Sequence, residues 1–108
     1  MSEIRTPPKK LVDLNPRWMR EFVARDKPPR DGYGIEFDCP CGRGPECEWG
    51  GTICIAFANP LDGGPVSRWG REKWQRTGDT FESLTLTPSI HAVGHWHGWL
   101  RNGVLESC

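Results

Sequence analysis

Asn102-Gly103 stands between two apolar strand-like runs, WHGWLR and VLES. A two-residue type I′ turn needs positive φ at both central positions, and Asn-Gly is among the few pairs that tolerate this. Placing the two residues there fixes the register of a closing hairpin over residues 95–108. Arg101 then faces Val104, Leu100 faces Leu105, Trp99 faces Glu106 and His97 faces Cys108. Directly opposed residues of an antiparallel pair have Cβ atoms about 4.5–5.5 Å apart. Two ligands of one tetrahedral zinc need such a separation. The register therefore offers His97 and Cys108 as half of a metal site, and gives the chain a reason to close on a cysteine.

The stretch CPCG, residues 39–42, supplies the other half. It places two thiols at the end of a strand, in a turn tight enough to strain a disulfide. Pro40 and Gly42 let backbone amides turn toward the sulfurs, which stabilises thiolate. Cys39, Cys41, His97 and Cys108 together make a Cys3His set, the closed kind that holds structural Zn2+. Cys47 follows Cys41 by six residues and is the substitute ligand. Cys54 lies inside the apolar run TICIAFA and reads as a core thiol. His91 and His95 read as ordinary polar residues.

The remaining elements are short. Asn15-Pro16 is a helix start, with Asn as N-cap and Pro at the first helical position. Trp18, Met19, Phe22 and Val23 then fall on one helical face until Lys27-Pro28-Pro29 stops it. Beyond Pro29 the periodicity becomes that of strands. Ile35, Phe37 and Cys39 alternate with Glu36 and Asp38, and further strands read at 52–58, 72–76 and 83–87, the last halted by Pro88. The expected fold is a small β-rich α+β single domain: one short N-terminal helix, antiparallel strands and a C-terminal hairpin around a structural zinc. Residues 1–14 read as a basic, proline-containing arm, and residues 15–108 as the zinc-binding domain.

Charge is zero overall but uneven. Residues 1–30 carry eight Lys/Arg against four Asp/Glu, and residues 31–108 carry six against ten. The basic leader either docks on its own acidic body or reaches a partner. The N-terminus has no apolar run of the signal-peptide kind, and no stretch is long and apolar enough for a membrane span. A reducing cytoplasm is the expected compartment, and five cysteines there read as metal ligands or thiols rather than disulfides.

CPCG, LTLTPSI and HGWLRNGVLESC together resemble a family of small proteins of unknown function encoded by phages and bacteria, some beside ubiquitin-like conjugation genes. The family pattern runs C-P-C-G-C, L-x-P-S-I and H-F-W-I-R-x-G-x-I-x-x-C. The likeness covers about residues 35–108 and keeps the His97-to-Cys108 spacing. Arg43 stands where the family has a further cysteine, and Gly98 where it has phenylalanine. The resemblance implies zinc; it implies no activity.

The donor set leaves no open coordination position, and no H-E-x-x-H, phosphate-binding loop or nucleophile elbow occurs in the chain. The expected function is therefore non-enzymatic: a zinc-stabilised accessory protein that works by protein–protein contacts, with a phage capsid or a host protein as partner. It would reside in the cytoplasm of a bacterial host or in the virion. Lys9, Lys10 and Arg17 are candidate contact residues. The alternative is a single-stranded nucleic-acid binder, because Trp69 and Trp74 interleave with Arg68, Arg71, Lys73 and Arg76 as stacking platforms do. A zinc enzyme is the third reading.

Overall fold

The computed structural model describes residues 3–22, 25–68 and 70–108. Nine strands form two sheets among these residues, and the only helical pieces are two 3-10 turns, at Leu11–Leu14 and Gly44–Glu46. The strands are β1 (Lys9–Lys10), β2 (Arg17–Glu21), β3 (Arg30–Asp38), β4 (Thr52–Phe57), β5 (Lys73–Thr77), β6 (Thr85–Thr87), β7 (Ile90–Ala92), β8 (Trp96–Arg101) and β9 (Val104–Ser107). One sheet has the order β1-β9-β8-β7, and the other the order β2-β3-β4-β5-β6. All pairings are antiparallel except β4 with β5, which run parallel.

The expected helix is a strand. Asn15 has φ 50° and ψ 54°, so it closes the preceding 3-10 turn in the left-handed region instead of opening a helix. A helix of this length needs tertiary packing to survive. Pairing with β3 offers the same residues more. Arg17 lies opposite Glu36 and Arg20 opposite Asp31, each pair joined by an ion pair, at 3.3 Å and 2.8 Å. Trp18 stacks on Phe81 with centroids 4.5 Å apart and meets Phe57 edge-on at 6.3 Å. Met19 turns to the other face, against Tyr33 and Ala56. Phe22, expected on the buried helical face, is 75% exposed. Val23 lies outside the described residues.

The alternating strands bury what their period dictates. Ile35, Phe37 and Cys39 from the β3 side, with Ile53, Ile55 and Phe57 from β4, enter one apolar cluster. Leu84 and Leu86 join them, as do Trp96, Leu100 and Leu105 of the hairpin, so the core lies between the sheets. Cys54 is not a core thiol. It lies between Ile53 and Ile55 on the opposite face, opposite Glu36 and exposed to solvent.

The hairpin has the expected register: Arg101 with Val104, Leu100 with Leu105 and Trp99 with Glu106. Asn102 and Gly103 have φ of 47° and 70°, as a type I′ turn demands. A Cβ on Gly98 would lie 2.3 Å from the Glu106 carbonyl and within 2.5 Å of the Trp96 ring, so glycine is required there.

The basic N-terminal segment packs on its own body. Ile4 donates its amide to the His95 carbonyl at 2.7 Å, and Thr6 donates to Ser107 Oγ at 2.9 Å. β1 pairs with β9, and Leu11 is fully buried. No helix of the described residues is long and apolar enough to cross a membrane.

Candidate metal centre

β3 ends at Asp38 and delivers Cys39, whose amide donates to the Gly51 carbonyl at 2.8 Å. The chain then turns at once: Gly42 donates to the Cys39 carbonyl at 3.3 Å, and its φ of 72° is one that glycine supplies without strain. The short 3-10 turn at Gly44–Glu46 carries the chain to Cys47, which donates to the Gly44 carbonyl at 3.0 Å. Gly50 and Gly51, both at positive φ, lead into β4. His95 comes from the other sheet. It closes the turn between β7 and β8 and donates its amide to the Ala92 carbonyl at 2.9 Å.

These segments bring four donors together. The sulfurs of Cys39, Cys41 and Cys47 and a ring nitrogen of His95 all lie within 4.8 Å of one another. His95 Nε2 is 3.3 Å from Cys39 Sγ and 3.4 Å from Cys47 Sγ. A tetrahedral metal with bonds of about 2.0 Å to nitrogen and about 2.3 Å to sulfur separates its ligand atoms by about 3.5 Å. The donors stand at nearly that spacing. His95 is 1% exposed, and Cys39 and Cys47 are buried. His95 Nδ1 is buried and has no hydrogen-bond partner among the described residues. The Glu48 carboxylate lies 4.0 Å from it. A metal on Nε2 would fix the proton on Nδ1, and a carboxylate beside that nitrogen is the usual second-layer partner of a ligating histidine.

The sulfurs accept hydrogen bonds from the backbone. The Arg43 amide donates to Cys41 Sγ, and the Trp49 amide to Cys47 Sγ, both at 3.4 Å. The Cys41 amide acts on Cys39 in the same two-residue step. Each sulfur thus receives the amide two residues downstream. Burial pushes the Cys39 thiol up to about 12, against the pull of that amide. Burial raises Cys47 too, but the Trp49 and Gly51 amides and the two neighbouring thiols outweigh it, and the net shift is downward. Cys39, Cys47 and His95 are buried and Cys41 is half-buried. A divalent ion among them would draw off the thiol protons and bind the thiolates. This Cys3His cluster could therefore bind a metal ion.

The predicted ligands divide. Cys39 and Cys41 are in the cluster, and Cys47, the substitute, is a member. His97 and Cys108 are not. They are neighbours in the ladder, where Cys108 donates its amide to the His97 carbonyl at 3.0 Å, yet Cys108 is exposed and the His97 ring lies elsewhere. That ring stacks on His91 with centroids 4.2 Å apart and bonds Ser89 Oγ at 2.9 Å. The sequence alone does not single out His95, because the strand that leads to it, Ile90–Ala92, is only three residues long. Ile90 and Ala92 alternate with His91, and Val93-Gly94 is the turn that would have placed His95 at a hairpin corner.

The other candidates also have partners. Lys9 Nζ donates to the Pro40 carbonyl at 2.9 Å, beside the cluster. Arg17 binds Glu36 and the Asn15 carbonyl. Lys10 is exposed. Trp74 packs against the core and donates Nε1 to the Ser89 carbonyl at 3.3 Å. Trp69 lies outside the described residues. No protein-family model, curated protein or solved structure matches the chain.

Proposed function

We propose that this chain is a small zinc-stabilised module that acts through contacts with a protein partner and carries no chemistry at its metal centre. The observation that supports this reading is the donor set. Three sulfurs and one imidazole complete a tetrahedron, and thiolate-rich tetrahedral sites favour zinc among the divalent ions. Cys39, Cys41, Cys47 and His95 would hold the ion, which would supply cross-linking between the sheets. A catalytic zinc keeps a position open for water or substrate, and a fourth protein donor takes that position here.

A surface role fits the exposed apolar residues. Phe22 is 75% exposed and Val66 45% exposed, and both line one hollow with Arg30 and Arg68. Scattered apolar residues are ordinary, but a paired set rimmed by charge suits a protein contact. The partner proposed for that surface is a phage capsid protein or a host protein. The nucleic-acid reading loses support because Trp74 is half-buried against the core and donates its ring nitrogen to the Ser89 carbonyl.

Cobalt substitution tests the closed centre. Cobalt(II) bound in place of zinc should give the ligand-field bands of a tetrahedral thiolate site. Adding azide or free imidazole should leave those bands unchanged. A shift of the bands would mean an open position and would move the protein to the enzyme reading.

A further inference from the structure

A second group of donors lies outside that centre, on the four-stranded sheet. His91 and His97 are direct partners across the β7–β8 ladder, so their side chains leave the same face. Their rings stack 4.2 Å apart with 25° between planes. Glu3 reaches the pair from the N-terminal segment, with Oε2 2.6 Å from His91 Nε2. Its place is held by the parallel bridge of Ile4 with Trp96 and by the Ile4 amide on the His95 carbonyl. One ligand atom from each of Glu3, His91 and His97 lies within 4.8 Å of the other two. The group is open to water: the His91 side chain is 44% exposed and that of Glu3 33%.

We infer that Glu3, His91 and His97 form a second metal site, for a divalent first-row transition ion, distinct in kind from the Cys3His centre. Two imidazoles and one carboxylate are borderline-to-hard donors, suited to nickel, copper(II) or zinc. Three protein donors leave at least one position for water or an outside ligand. The two imidazoles cost little to arrange, because the antiparallel ladder already opposes them. Ser89 Oγ, 2.9 Å from His97 Nε2, orients that ring as outer hydrogen-bond partners of ligating histidines do. The ion would also tie the N-terminal segment to β7 and β8, since Glu3 alone comes from outside the hairpin.

The competing explanation is a plain carboxylate–imidazole contact that pins residues 3–6 and holds no metal. Nickel titration of the full-length protein separates the two. Ni2+ is chosen because imidazole and carboxylate suit it and the thiolate centre favours zinc. Calorimetry should find one saturable Ni2+ site per chain. His91→Ala should abolish it, and Glu3→Gln should weaken it at least about 10-fold, while Ser89→Ala should raise the dissociation constant about 10–100-fold. Circular dichroism of nickel-free His91→Ala should match that of the parent, so that lost binding is told apart from lost fold. One equivalent of zinc is bound first, so that the thiolate centre is filled and does not compete for nickel. No saturable nickel binding by the parent, or binding that His91→Ala leaves intact, overturns the inference.

Discussion

Cys47 and Cys108 are both free thiols, but their surroundings differ in every respect that matters to a metal. Cys47 is buried, receives an amide from Trp49 and lies 3.4 Å from His95 Nε2. Cys108 is exposed, and nothing in the cluster approaches it. Cys47→Ser should therefore abolish stoichiometric zinc, because a serine hydroxyl is a poor ligand and leaves an open, hydrated position. Cys108→Ser should retain full zinc and change stability by no more than about 0.5 kcal/mol, as exposed substitutions do. Metal analysis of the two purified variants decides between this ligand set and the one the hairpin register suggested. The register was legible because Asn102-Gly103 leaves little freedom. The site was not, because ladder adjacency places backbones together without saying which face and which neighbour a side chain meets. His97 lies beside Cys108 and still directs its ring to His91 and Ser89.

Elements were legible where a period of two survived burial. β3, β4 and the hairpin buried the residues that alternation selects. The region after Asn15 was not, because Trp18 and Phe22 satisfy a helical period by coincidence and only cross-strand partners on β3 reveal the strand. The hairpin tip carries more than its turn type. Gly103 donates its amide to the Leu84 carbonyl at 2.9 Å, and a Cβ there would lie 2.6 Å from the Phe81 carbonyl and 2.7 Å from that of Glu82. Gly103→Val thus suffers twice, from a β-branched residue at positive φ and from backbone collision. Backbone strain of that kind costs on the order of 1–3 kcal/mol, and the collision adds to it. The expected result is a melting temperature lower by roughly 10 °C or more, at about 4–8 °C per kcal/mol for a domain of this size. None of the Cys3His donors belongs to the hairpin tip, so the folded fraction should keep its zinc. Loss of zinc at temperatures where circular dichroism still reports a folded protein would mean that the hairpin register does govern the metal site.

At the scale of the whole molecule, the centre joins two sheets at one end of a shared core. Cys39, Cys41 and Cys47 belong to the connection between β3 and β4, and His95 to the corner between β7 and β8. Elsewhere the sheets are held by apolar packing, with Phe37 and Phe57 of one sheet and Trp96, Leu100 and Leu105 of the other in the same cluster. Which term dominates is a matter of magnitude. A native domain is stable by about 5–15 kcal/mol in all. Structural zinc contributes on the order of 10 kcal/mol in small domains. A zinc ion held by these four donors would thus be comparable to the entire margin, even with a core of this kind present. Chelation should therefore remove the cooperative thermal transition and, with it, the near-ultraviolet dichroism of Trp96, which is fully buried. Returning one equivalent of zinc should restore both. Reductant alone should change neither, since the five cysteines are free thiols. A chelated protein that melts at the parent temperature would show that the core holds the sheets unaided, and would leave the four donors as buried thiols beside a histidine.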